Sequence, residues 1–81
     1  MSFIENKDAI RAIHKKTVNV IMSCTSLQHI EVAENYVDIA LDRLRSFKMA
    51  NAKEREVMRN IISNITFLLR IKERLLRKSG K

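Results

Sequence analysis

The side chains able to do chemistry in this 81-residue chain are two histidines, one cysteine, nine carboxylates and sixteen lysines and arginines. A zinc site needs three or four ligands held together. His14 and His29 have no Cys, His or carboxylate partner at ligand spacing, and Cys24 stands alone. Nucleophilic catalysis by Cys24 would require an activating base and an orienting group. Instead Cys24 continues an apolar series, Phe3, Ile10, Thr17 and Cys24 at intervals of seven, so it reads as a core residue. Glu31, Glu34, Asp38 and Asp42 recur at helical spacing and read as a solvated stripe matched to a helix dipole, not as paired catalytic acids. No catalytic residue, cofactor or metal ligand is expected, and the chain does not read as an enzyme.

The basic residues are distributed unevenly. The net charge is +7, yet residues 25–42 carry −4, residues 43–59 carry +4 and residues 70–81 carry +5. On a helical wheel Arg55, Arg59, Arg70, Arg74, Arg77 and Lys81 fall within about 100° of one another. Their planar guanidinium forks suit carboxylates or phosphates. If the second and third helices are antiparallel about residue 50, Asp42 lies level with Arg59 and Glu31 with Arg70, and those arginines are expected to be neutralised inside the fold. Arg74, Arg77, Lys78 and Lys81 overhang the first turn, where no acid is expected. This basic tip, with Arg70, is the expected partner-binding site.

An acidic or helical protein, or a second copy of the chain, fits such a tip best. RNA or DNA held by its phosphates is the alternative, but Tyr36 and Phe67 are not interleaved with the basic run as base stacking would need. Peripheral membrane contact is not expected, since the leucines of residues 67–78 are assigned to the core.

Helices must position all of these groups. The chain has no proline, and its single glycine is Gly80; strand hairpins and Gly-rich phosphate loops lack their residues. Ser2 with Glu5, Thr25 with Gln28 and Asn51 with Glu54 have capping spacing and predict helices over about 3–23, 26–48 and 52–78. The first presents Ile13 and Val20 beside the Phe3–Cys24 series. The second presents Ile30, Ala33, Val37, Ala40, Leu44 and Phe47 in alternating steps of three and four. Val32, Tyr36 and Ile39 form a second strip on it, a candidate self-association surface. The third presents a wide arc of Met58, Ile61, Ile62, Ile65, Leu68, Leu69, Leu75 and Leu76. The expected fold is all-α: one domain over 1–81, an antiparallel three-helix bundle or an extended helical hairpin with an N-terminal third helix. A chain of this size buries about 60% of its unfolded surface, too little scaffold for a deep substrate cleft.

A lone cysteine, charged first turns and no long apolar run point to the cytoplasm. The segment from Val20 through Cys24 and Gln28 to Ile30, continued by Val32-Ala33-Glu34-Asn35-Tyr36-Val37, resembles the helix joint of small helical accessory proteins encoded by tailed phages. Size, basicity and absence of proline are similar to the lysis-inhibition accessory proteins of T-even phages. That resemblance implies a non-enzymatic regulator acting by binding in the host cytoplasm, with a holin or another phage or host protein as target. It carries over no functional residue.

Overall fold

A helix leaves its first backbone N–H groups without partners, and the polar residues between the apolar runs supply them. In the computed structural model, which describes residues 2–80 and the side chains of residues 2–78, a 3-10 turn (Ile4–Asn6) precedes α1 (Lys7–Met22), α2 (Leu27–Arg45) and α3 (Ala52–Gly80). The start of α3 is a reciprocal cap. Asn51 Oδ1 accepts the Glu54 N–H at 2.9 Å, while Glu54 Oε1 reaches back to accept the Ala50 N–H at 2.9 Å. At α2 the cap is Ser26, not Thr25: its hydroxyl accepts the His29 N–H at 3.3 Å, and its backbone is extended.

The first helix starts four residues later than its capping signal predicts. The Ser2 hydroxyl does accept the Glu5 N–H, at 3.4 Å. However, the Phe3 N–H donates to the Lys48 carbonyl at 2.7 Å and the Phe3 ring is buried, which ties the N-terminal segment to the far end of α2. So anchored, residues 4–6 turn as a 3-10 segment before α1 begins. The same contact shortens α2. Phe47 enters the core and Lys48 offers its carbonyl to Phe3, so α2 ends at Arg45 and not at residue 48.

Packing follows the apolar seams. Ile30, Ala33, Val37, Ala40, Leu44 and Phe47 are all buried, joined by Leu41, and α1 adds Ile10, Thr17 and Ile21. Thr17 is tolerated there because its hydroxyl donates to the Ile13 carbonyl at 2.6 Å. One cluster joins Phe3, Phe47, Met58 and Ile65; a second, at the opposite end, joins Cys24, Ile30 and Ala33 with Val20, Leu69 and Leu76 packed on it. Those two clusters set the helices up, down and up. Helix α1 packs on both others, so the molecule is a three-helix bundle and not an open hairpin. It measures 46 × 17 × 16 Å, the long dimension being that of α3. Leu75 departs from the expected arc: it is 57% exposed.

Leu44→Ala and Ile65→Ala, each opening a hole in the fully buried core, are expected to lower unfolding free energy by about 2–5 kcal/mol. Loss of the cap in Asn51→Ala should cost about 1 kcal/mol. Exposed Val32→Ala should change it by less than about 0.5 kcal/mol. Urea titrations followed by helical circular dichroism measure all four.

Candidate interaction surface

The groups suited to catalysis are used structurally. Cys24 is buried, its thiol directed at the Val20 carbonyl (3.4 Å) and the His29 carbonyl (3.5 Å). Burial pushes the thiol above its ordinary value of 9.0, and the nearby Lys72 ammonium opposes this more weakly. It is therefore a protonated core thiol at neutral pH. The His14 ring nitrogen Nε2 bonds Asn64 Oδ1 at 2.9 Å, joining α1 to α3. The His29 Nδ1 accepts the Thr25 N–H at 3.2 Å and holds the turn between α1 and α2. Among the described residues no three His, Cys, Asp or Glu side chains are grouped to hold a metal ion.

Exposed arginines line α3: Arg55, Arg59, Arg70, Arg74 and Arg77, with Lys78 beyond them; Lys81 lies outside the described residues. The expected pairing with α2 is not made. Among the described residues the ion pairs are Asp42–Arg45 at 4.0 Å and Glu73–Arg77 at 2.8 Å, both within one helix. Asp42 does not reach Arg59, nor Glu31 Arg70. The carboxylates of α2 and the arginines of α3 are exposed, and an exposed pair gains little against hydration and side-chain entropy. The tip itself is also corrected. Leu76 packs at the level of Cys24 and Ile30, so only residues beyond Leu76 overhang the turn, and within α3 Glu73 pairs with Arg77. Arg77 is paired; Arg70, Arg74 and Lys78 have no carboxylate within 4 Å among the described residues.

Beside these cations stands an apolar row. Phe67 is 61% exposed, and Ile71 and Leu75 follow it at intervals of four on the solvent side of α3. For Leu75 the His14–Asn64 bond fixes the reason. It sets α1 and α3 in register with an offset of fifty residues, so α1, which ends at Met22, stops covering α3 near Lys72. The wheel held a signal for Phe67, which lies about 160° from both Ile65 and Leu69. For Leu75 nothing in the periodicity told that α1 was too short to cover it. The premise that every apolar residue of 67–78 belongs to the core therefore fails. Among the described residues no helix is long and apolar enough to cross a membrane.

The second surface lies on α2. Val32 and Ile39 are 68% and 64% exposed and Tyr36 is half-buried, next to a groove of about 320 Å³ between α1 and α2 that Ala12, Ile13, Lys16, Tyr36 and Arg43 help to line.

The buried thiol provides a check on the core. Alkylation of native Cys24 by iodoacetamide at pH 8 is expected to run at least about tenfold slower than in urea. Because folding raises the thiol pKa, the unfolded chain loses its proton first. The stability advantage of wild type over Cys24→Ala is therefore full below the ordinary thiol range and falls as pH rises above it.

No protein-family model matches the chain, and no match to it was found among curated proteins or among solved structures.

Proposed function

We propose that this chain is a small non-enzymatic regulatory protein that acts by protein–protein contact, and that the distal half of α3 is its docking surface. Arg70, Arg74 and Lys78 supply charge, Arg77 does so with Glu73 beside it, and Phe67 and Ile71 supply the apolar contact. Arg55 and Arg59 extend the basic face toward the base of the bundle, and Lys81 belongs to the same charge run. The observation that carries the reading is the placement of exposed Arg70 and Arg74, with no carboxylate within 4 Å among the described residues, around exposed apolar side chains on one helix face. Apolar anchors ringed by arginine favour an acidic, helical protein surface. The resemblance of residues 20–37 to small phage accessory proteins extends the proposal to a phage-encoded regulator of lysis, or of another phage or host protein, in the host cytoplasm.

The alternative is RNA or DNA gripped through its phosphates by the same arginines, whose forks fit phosphate as well as carboxylate. It does not use the Phe67–Ile71 contact, and Phe67 is the one aromatic side chain on that face.

A pull-down from host lysate with and without nuclease separates the two. The protein reading expects a retained partner that survives nuclease and is reduced about tenfold or more by Arg70→Glu with Arg74→Glu, and also by Phe67→Ser. Loss of all retained material on nuclease treatment, or a steep fall in affinity with salt that Phe67→Ser leaves unchanged, would overturn it in favour of nucleic acid. Retention unaffected by any of these substitutions would remove distal α3 from the mechanism.

A further inference from the structure

The exposed strip on α2 has a charge arrangement unlike that on α3. Val32 and Ile39 are seven residues apart on its outer side, with Tyr36 between them at the mouth of the α1–α2 groove. Ala9 and Ala12 keep the α1 wall of that groove low. On the wheel Arg43 lies about 40° to one side of Ile39, toward α1 and Lys16, and Asp42 lies about 60° to the other. Asp38 and Glu31 extend the acidic side. The ridge thus has a basic edge and an acidic edge, both exposed.

We propose that this face pairs with a second copy of the chain in a parallel two-fold dimer, the Val32–Ile39 ridge of each copy lying along the α1–α2 groove of the other. Symmetry selects the direction. Rotation about an axis running along α2 sets the acidic edge of one copy on the basic edge of the other, whereas rotation about an axis across α2 sets acid on acid and base on base. Charge also selects the face. Residues 25–42 are the acidic part of a basic protein. Pairing through α2 keeps the α3 arginines outside, while pairing through Phe67 and Ile71 would press Arg70, Arg74 and Lys78 against their own copies.

A parallel dimer carries a functional consequence that rests on the proposed role of distal α3. Both basic ends emerge at the same end of the assembly. Each bundle is about 17 Å across and α3 lies on the outer side of its copy, so neighbouring tips lie about 20–30 Å apart, two to four Debye lengths, and repel weakly at physiological salt. A partner with two sites would then be held bivalently, the second contact being intramolecular.

Sedimentation equilibrium of the full chain tests the dimer without any partner. The area is small, so association with a Kd of about 10–100 µM is expected, and a strict monomer at about 300 µM overturns the proposal. Val32→Glu with Ile39→Glu, both at exposed positions, should weaken association at least tenfold with the helical spectrum unchanged. Dimerisation that survives this but is lost with Phe67→Glu would move the interface to α3 and overturn it. The edges are tested by exchange: Lys16→Glu/Arg43→Glu and Asp38→Lys/Asp42→Lys variants should each associate poorly alone and well when mixed. Mixed chains that associate no better than either alone would sink the charge argument. Direction is read from a spin label at Lys78→Cys in a Cys24→Ala background. A parallel dimer places the labels about 20–30 Å apart, and an antiparallel one, which overturns the proposal, about 45 Å. Since none of these readouts involves a partner, loss of partner binding and loss of the dimer are separately visible.

Discussion

The buried seam of α2 is the constraint from which the rest of the molecule follows. Ile30, Ala33, Val37, Ala40, Leu41 and Leu44 occupy one side of a nineteen-residue helix, and both other helices close upon that side. The alanines let a neighbouring axis approach, and the larger residues fill the space on either side of them. Once that side is committed, the opposite side of α2 must face water whatever it carries. It carries Val32 and Ile39 as well as carboxylates. The surplus apolar strip lies on the side of α2 left uncovered in a three-helix bundle, where each helix has only two neighbours.

Helix length makes the second asymmetry. With 29 residues α3 is longer than α1 or α2 by about 15 Å or more, and α1 begins only after the chain has been tied to Lys48 through Phe3. The registered pair His14 and Asn64 then fixes where α1 runs out. Leu69 and Leu76 pack against Cys24, Ile30 and Ala33, while Leu75, beyond the end of α1, is 57% exposed and Phe67 and Ile71 sit on the outer side of α3. The cations of the same stretch are also left outward. An apolar row with arginines around it therefore arises from helix periodicity at Phe67 and Ile71 and from unequal helix lengths at Leu75, with no dedicated loop or cleft.

Electrostatics plays a small part in holding the bundle together. The acids of α2 and the arginines of α3 make no ion pair between helices among the described residues; the pairs that form are local, Asp42–Arg45 and Glu73–Arg77. Each interhelical bridge would have to order two long hydrated side chains for at most about 1 kcal/mol. Stability comes from the buried seams and from caps such as Asn51–Glu54. The charges remain available to partners, and their separation into an acidic strip and basic ends gives different faces of the molecule different affinities.

Read along the chain, periodicity and capping residues determined the helices, their approximate limits and nearly every buried residue. Seven-residue spacing marked Phe3, Ile10, Thr17 and Cys24, and the alternating seam marked α2, because a helix face recurs every 3.6 residues whatever lies against it. The strip of Val32, Tyr36 and Ile39 was legible for the same reason. Three things were not. The late start of α1 depends on a bond from Phe3 to Lys48, 45 positions away, and no local pattern reports a long-range hydrogen bond. The absence of α2–α3 ion pairs among the described residues depends on how far the exposed side chains of each helix extend into water, which level-matching by residue number ignores. The exposure of Leu75 depends on where another helix ends. What sequence alone determined was local, because propensity and period act within a few residues; the tertiary structure decided which apolar and charged faces remain uncovered, because cover is supplied only by a neighbour.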